Sequence, residues 1–348
     1  MGKPEAIILI PGLRRLKRGE ELSRLIDGLK GAVDRIDFSE SGDAEIPGVS
    51  GKRLQCCFRD TNEEKELDIY ECFYGDLVSK LEEETPFGKM QQGALLILYW
   101  TFSGIWKALR RNTYLSLSVI FTAIAILLWY MGVLVVGFTA IGKLSFDPQN
   151  AIMQKAAELI GGWGEWMTRW DVWIAIGAIL TFLGIGKLAN LSHFVRLYLE
   201  DTELRSKVRG RVIEVLYRTV TSKRYARVTL LAHSFGAVIG VDVMADFSNG
   251  EQTDVRFFAI GSPLGVLSDL KPWVKSELNK CEENQDINSW MDFYSTTDYM
   301  CSHIKLDNTV YPFESKNLEK MGAWLKRITG ETHLAYFFRE EVISGLVS

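Results

Sequence analysis

The sequence predicts an α/β fold: a mostly parallel sheet flanked by helices, interrupted by an inserted transmembrane helical hairpin. Three observations predict it. A continuous apolar run, Ala6–Ile10, stops at Pro11-Gly12, as a buried parallel strand does. A second apolar run, Val228–Leu231, enters Ala232-His233-Ser234-Phe235-Gly236 and then a small, apolar stretch that suits a buried helix. Between the two, Tyr114–Ile141 carries no charged residue over about 28 positions, more than the roughly 20 that a helix needs to cross a bilayer.

The bulk numbers set bounds on function. The chain has 348 residues, 47% of them hydrophobic, enough for a large core. Its net charge of -4 supplies no basic field, so nucleic acid is not an expected partner. Cys56, Cys57, Cys72, Cys281 and Cys301 sit at no spacing that reads as a zinc site or a disulfide framework. Their odd number fits reduced thiols on the cytosolic side of a membrane.

In order along the chain, Leu22, Leu25, Ile26, Leu29, Val33 and Ile36 recur at helical spacing and predict an amphipathic helix over Gly19–Ile36. Leu54–Phe58 and Leu67–Phe73 are strand candidates around a polar turn. Strand, helix, strand is the grammar of an α/β sheet. Ala94–Trp106 is apolar but too short to span; it reads either as a helix lying in the membrane interface or as a core or cap helix. A second uncharged run, Val172–Gly186, extends as an apolar stretch to Leu191 past Lys187. The strands before the first span and the serine turn after the second are expected in one sheet. The chain must then cross an even number of times, hence a hairpin of about 114–141 and 172–191. Lys107, Arg110 and Arg111 precede it; Lys187, Arg196, Arg205, Lys207, Arg209 and Arg211 follow. The positive-inside rule puts both ends in the cytoplasm, with Trp163, Trp166, Trp170 and Trp173 at the far interface. The expected organisation is therefore 1–92 and 192–348 as the two parts of a soluble domain around a membrane insertion, 93–191. Past it, Phe194–Val220 reads as helical, Val255–Ile260, Trp290–Tyr294 and Thr309–Tyr311 as strands, and Thr332–Val342 as a helix.

The chemistry centres on Ser234. A strand, a sharp turn and a helix form the setting of a nucleophile elbow, in which a strained serine stands above the sheet. Small residues are needed two positions either side; Gly236 fits, and Ala232 replaces a glycine at the cost of one methyl. A serine hydroxyl needs a base, and the base needs a third group to orient it. Among four histidines, His193 adjoins the span and suits a solvated or headgroup-facing role, His233 is locked in the turn, and His303 could be a surface residue. His333 lies past the last strand, where a base belongs. Asp298 follows strand Trp290–Tyr294 in a short polar loop, whereas Asp292 lies inside that strand and is the weaker acid candidate. The oxyanion donors are expected at the amide of Phe235 and, through the loop Pro11-Gly12-Leu13, at Leu13, with Gly12 permitting close approach.

The chain resembles the α/β-hydrolase superfamily, particularly its membrane-associated lipase- and esterase-like members. The resembling stretches are Ile-Leu-Ile-Pro-Gly-Leu, Tyr-Glu-Cys-Phe-Tyr-Gly-Asp-Leu, Ala-His-Ser-Phe-Gly-Ala-Val-Ile-Gly-Val-Asp, Ile-Gly-Ser-Pro-Leu-Gly, Asp-Phe-Tyr-Ser-Thr-Thr-Asp and Thr-His-Leu-Ala-Tyr-Phe. They cover roughly Lys3–Val78 and Ser192–Ser348, with the hairpin as an insertion. The resemblance implies Ser234 as nucleophile, Asp298 as acid, His333 as base, and Leu13 with Phe235 as oxyanion hole. Pro11 stands where many relatives carry His before the glycine. The expected protein is a membrane-anchored serine hydrolase that cleaves an ester or thioester through an acyl-enzyme. No metal or organic cofactor is required. Its expected partners are the lipid bilayer and an amphiphilic ester substrate, with the hairpin a possible homo-oligomer contact. Two alternatives remain: a hydrolase of a soluble ester merely tethered to the membrane, and a non-catalytic membrane scaffold.

Overall fold

The computed structural model describes residues 3–13, 17–79, 185–250, 253–298, 301–306, 309–319 and 331–347, with positions 124, 125 and 128. The chain divides into two compact units, residues 1–80, 104–118 and 197–348 forming the first and 81–103 with 119–196 the second. The sheet and the candidate site belong to the first unit.

Its first half runs β1 (Glu5–Ile10), α1 (Glu20–Ala32), β2 (Ile36–Ile46), β3 (Val49–Phe58), β4 (Glu63–Glu71) and α2 (Gly75–Ser79). The second half begins with α3 (Ile185–Glu200) and α4 (Thr202–Thr221), and α4 is followed by β5 (Arg227–His233) and α5 (Gly236–Met244). Then come β6 (Asp254–Ile260), α6 (Leu264–Leu270), α7 (Pro272–Glu283), β7 (Ser289–Tyr294) and β8 (Phe313–Asn317). A 3-10 helix, Glu331–Phe338, and α8 (Glu340–Val347) follow.

The eight strands form one sheet in the order β2-β3-β4-β1-β5-β6-β7-β8. β2, β3 and β4 are antiparallel neighbours; from β4 through β8 every pairing is parallel. The central strands β1 and β5 are buried along nearly their whole length, which is why they read as unbroken apolar runs. The register aligns Ile10 with Ala232, His233 with Ile260, and Ile260 with Phe293. The loops that leave β1, β5, β6 and β7 therefore emerge at one rim. On one face, Leu25, Ile26 and Leu29 of α1 pack with Ile7, Leu9, Phe258 and Phe293 of the sheet and with Tyr336, Phe337, Val342 and Ile343 from the C-terminal segments.

Several boundaries differ from expectation. The first helix ends at Ala32; Val33 is extended (φ −131°, ψ 109°) and Ile36 opens β2. Val33 and Ile36 join the same core as the helix, so the apolar spacing runs on past its end. β2 was not expected because its sequence, Ile-Asp-Phe-Ser-Glu-Ser-Gly-Asp-Ala-Glu-Ile, is largely polar, as suits a solvent-washed edge. The last strand is Phe313–Asn317, not Thr309–Tyr311. Tyr311 instead buries its ring and donates its hydroxyl to the carbonyl of Cys281. The helix expected over Thr332–Val342 is two pieces, a 3-10 helix and α8. The stretch Phe194–Val220 is likewise divided, with Asp201 capping α4 through the amides of Glu203 and Leu204. The expected spans, about 114–141 and 172–191, and the stretch 94–106 lie outside the described residues, except for 124, 125, 128 and 185–191. Among the described residues no helix is long and apolar enough to cross a membrane.

Asp292 is buried in the middle of β7; Ser315 donates to its Oδ2 at 2.9 Å, and Oδ1 has no hydrogen-bond partner among the described residues. Burial pushes its carboxyl up to about 7, against an unfolded value near 4. The folded state therefore holds this proton more tightly. Its stabilising contribution is in place below about pH 4 and is lost as pH rises through about 7. Asp292→Asn is expected to remove this loss: between pH 5 and pH 8 the wild type should fall in denaturation midpoint relative to the variant.

Candidate active site

β5 delivers the chain to Ser234, the first residue past the strand, at φ 56°. The left-handed region is costly for a side-chain-bearing residue, and here the surroundings hold it. The Ser234 amide donates to the carbonyl of Ile260 on β6 at 2.9 Å, and its carbonyl accepts from the Ala237 amide at 3.0 Å in the first turn of α5. The chain thus reverses from strand to helix within one residue. That turn brings the start of α5 against β1. A Cβ on Gly236 would stand 2.5 Å from the carbonyl oxygen of Ile10. The methyl of Ala232 is accommodated because the facing position in α5 is Gly240, where a Cβ would meet it at 3.3 Å.

Behind the turn, α5 is held by a buried carboxylate. Asp242 accepts two hydrogen bonds from Arg205 of α4 (2.8 and 2.5 Å) and one from the Tyr198 hydroxyl (2.8 Å). Arg205 stacks on Trp273 with its guanidinium 3.7 Å from the ring centroid. The Tyr198 ring also meets Phe235 edge to face at 5.4 Å. Phe235, directly after the serine, is buried at the N-terminus of α5.

The expected acid and base meet. Asp298 lies in the loop after β7, and His333 in the 3-10 helix; His333 Nδ1 and Asp298 Oδ2 are 2.7 Å apart, both side chains buried. An ionised carboxylate only accepts, so Nδ1 carries the proton and Nε2 presents its lone pair. That Nε2 is buried and has no hydrogen-bond partner among the described residues. The ring lies over Gly261, where a Cβ would be 3.2 Å from His333 Cε1. Gly261 directly follows Ile260, whose carbonyl holds the Ser234 amide. Ser234 and His333 are thus brought to the same rim, although no hydrogen bond joins hydroxyl to imidazole.

The loop after β1 completes the site. Gly12 passes so close that a Cβ there would be 3.0 Å from Ser234 Cβ and 3.0 Å from His233 Nδ1. The Gly12 amide already donates to Glu21 Oε2 at 3.0 Å. Leu13, the expected donor, follows it and is buried. The Pro11 carbonyl is held by the Tyr74 hydroxyl at 2.6 Å.

Two participants escaped the sequence reading. The Tyr336 hydroxyl donates to the same Asp298 oxygen at 3.1 Å. Residues three apart eclipse in a 3-10 helix, so His333 and Tyr336 face Asp298 together; an α-helix was expected there. Glu21 is buried on α1, its Oε1 3.1 Å from His233 Nδ1. The signal was present: Glu21 falls in line with Leu25 and Leu29 at i, i+4, i+8, an acid on an apolar stripe. Of the remaining candidates, Asp292 bonds Ser315, His303 packs beside Tyr294 at 4.7 Å, and His193 is buried.

All five cysteines are free. Burial raises the thiols of Cys56 (to about 12), Cys72, Cys281 and Cys301, which opposes formation of a nucleophilic thiolate. Among the described residues no group of three or more His, Cys, Asp or Glu side chains is placed to hold a metal ion. In comparisons with known proteins, no family model, curated protein or solved structure matches this chain.

The close approach at the turn is testable without an assay of activity. Gly236→Ala places a methyl against backbone that cannot move independently of β1. It should cost about 1–3 kcal/mol, read from chemical denaturation.

Proposed function

We propose that this protein is a serine hydrolase of the α/β-hydrolase type, in which Ser234, His333 and Asp298 act as nucleophile, base and orienting acid. The observation that carries the proposal is His333: a buried imidazole whose Nδ1 is fixed by Asp298 and whose buried Nε2 has no partner among the described residues, beside a serine at φ 56°. A buried polar atom without a partner costs stability, and such vacancies have a use where a proton must be taken up.

His333 Nε2 removes the Ser234 proton as Oγ attacks a carbonyl carbon. The oxyanion that forms is met by the Phe235 amide, at the start of α5, and by the Leu13 amide. His333 then protonates the leaving oxygen or sulfur, which departs and leaves an acyl-serine. Water, deprotonated by the same nitrogen, releases the acid and restores Ser234. Asp298 keeps the ring in one tautomer throughout and stabilises it when charged. No metal or organic cofactor enters these steps.

The substrate reading rests on location. The charge-free runs about 114–141 and 172–191 support a hairpin anchored in a bilayer. The cytoplasmic orientation rests on Lys107, Arg110 and Arg111 before the first run and on Lys187, Arg196, Arg205, Lys207, Arg209 and Arg211 after the second. A hydrolase held at a bilayer suits an amphiphilic ester or thioester of a lipid or an acylated protein.

Two measurements test these points. A fluorophosphonate probe should label the wild-type protein, fail on Ser234→Ala, and label His333→Ala at a rate lower by on the order of 10³-fold or more. Equal labelling of wild type and Ser234→Ala would remove the serine from the chemistry. In membranes carrying the full chain, the protein should stay in the pellet after alkaline carbonate extraction. Its release into the supernatant would end the hairpin reading.

A further inference from the structure

Beside the acid, the base and the nucleophile stands a buried ionisable pair that the proposed chemistry does not use. His233 and Glu21 are both buried, and between them they touch the two loops whose relative position the proposed chemistry needs. Glu21 Oε2 accepts the Gly12 amide at 3.0 Å, in the oxyanion loop. Glu21 Oε1 lies 3.1 Å from His233 Nδ1, and His233 Nε2 lies 2.9 Å from the backbone carbonyl of His333. A single chain of contacts thus runs from the oxyanion loop, through Glu21 and His233, to the backbone of the base. The rings of His233 and His333 are 4.9 Å apart.

Donor and acceptor rules fix the protons in this chain. The His333 carbonyl can only accept, so His233 Nε2 must carry a hydrogen. Glu21 Oε2 faces an N–H donor, so it carries none. One further proton must lie between Oε1 and Nδ1, on whichever side. The pair is therefore neutral overall and holds together by sharing that proton. Remove it, and a carboxylate oxygen faces a nitrogen lone pair in a buried setting, where an unpaired charge is costly.

We propose that Glu21 and His233 are positioning residues for the hydrolysis: by sharing one proton they hold the Gly12–Leu13 loop and His333 in mutual register. This rests on the reading of Ser234 and His333 as nucleophile and base. Neither residue touches the reacting atoms. The surroundings favour keeping the shared proton. Among the described residues, the charged or titratable groups facing the pair are Glu71 at the end of β4, Tyr74, Asp298 and His333 itself. Burial pushes the His233 imidazole down, but Glu21, the His333 carbonyl and Asp298 together hold it above its ordinary range. The register is accordingly lost on the alkaline side, as pH rises through the value at which the pair gives up its proton.

The substitution Glu21→Gln separates position from proton. Its amide oxygen can accept from Gly12 while its NH₂ donates to the Nδ1 lone pair of a neutral His233, whose Nε2–H still reaches His333. Glu21→Ala keeps neither contact. The experiment measures kcat, KM and the pH profile on a short p-nitrophenyl ester with the full-length protein, active sites being counted by fluorophosphonate labelling. Glu21→Ala should lower kcat by on the order of 10²-fold with KM little changed, as a misplaced catalytic group does. Glu21→Gln should recover most of that turnover and lose the alkaline limb of the wild-type profile. Histidine-selective ¹⁵N spectra give an independent reading, with only four histidines to assign. At pH 7 the wild-type His233 should show Nε2 protonated and Nδ1 sharing a proton, and Glu21→Gln should show Nδ1 without one. A labelled wild type with undiminished Glu21→Ala turnover, or an alkaline limb unchanged in Glu21→Gln, would overturn this proposal and leave the hydrolase reading intact. A wild type that does not label at Ser234 would overturn both.

Discussion

The Ser234 amide donates across the sheet to the Ile260 carbonyl while its own φ stands at 56°. The arrangement of the rim depends on that one constraint. A non-glycine residue in the left-handed region costs on the order of 1–2 kcal/mol, and the cost is met by what the turn makes possible. α5 begins at once, against Ile10 on the neighbouring strand, with room for a hydrogen at 236 and nothing larger. Asp242, Arg205 and Tyr198 then hold the helix from behind. The strain at Ser234 is thus opposed by contacts on three sides, and the serine has little freedom to relax away from the rim.

The rim itself is wired through buried polar atoms. From Gly12 the contacts run to Glu21, to His233, and to the carbonyl of His333; from the ring of His333 they continue to Asp298 and the Tyr336 hydroxyl. His333 is consequently held at both its backbone and its Nδ1, and only Nε2 is left for chemistry. In a setting this buried, each such bond is electrostatically stronger than in water, and each unmatched atom more costly. The network is confined to the rim; the face packed under α1 is apolar.

The parts of this design that were legible in the sequence are those governed by short-range rules. Buried parallel strands read as apolar runs, so β1, β5, β6 and β7 were identified within a residue or two. The elbow was legible because its steric demand forces small residues at fixed offsets around Ser234. The order of Ser234, Asp298 and His333 followed from the order of the elements. What failed to show was set by tertiary context. β2 and β8 are polar edge strands whose pairing partners, not their composition, make them strands. The last strand was misplaced because Tyr311 looks like a strand residue, yet it is buried to reach Cys281. Tyr336 reaches Asp298 from the same 3-10 helix as His333, across 38 positions of sequence. Glu21 stands out as an acid on an apolar stripe, but its partner His233 lies 212 positions away in sequence, and no local pattern names that partner.

The central claim is that Ser234 and His333 work on one substrate carbon at this rim. The most direct measurement is a structure of the protein after reaction with an organophosphonate. The account predicts a bond from Ser234 Oγ to phosphorus, the phosphonyl oxygen facing the amides of Phe235 and Leu13, and His333 Nε2 within hydrogen-bonding distance of the adduct. An unmodified Ser234, or an adduct whose oxygen points away from those amides with His333 remote from it, would contradict it.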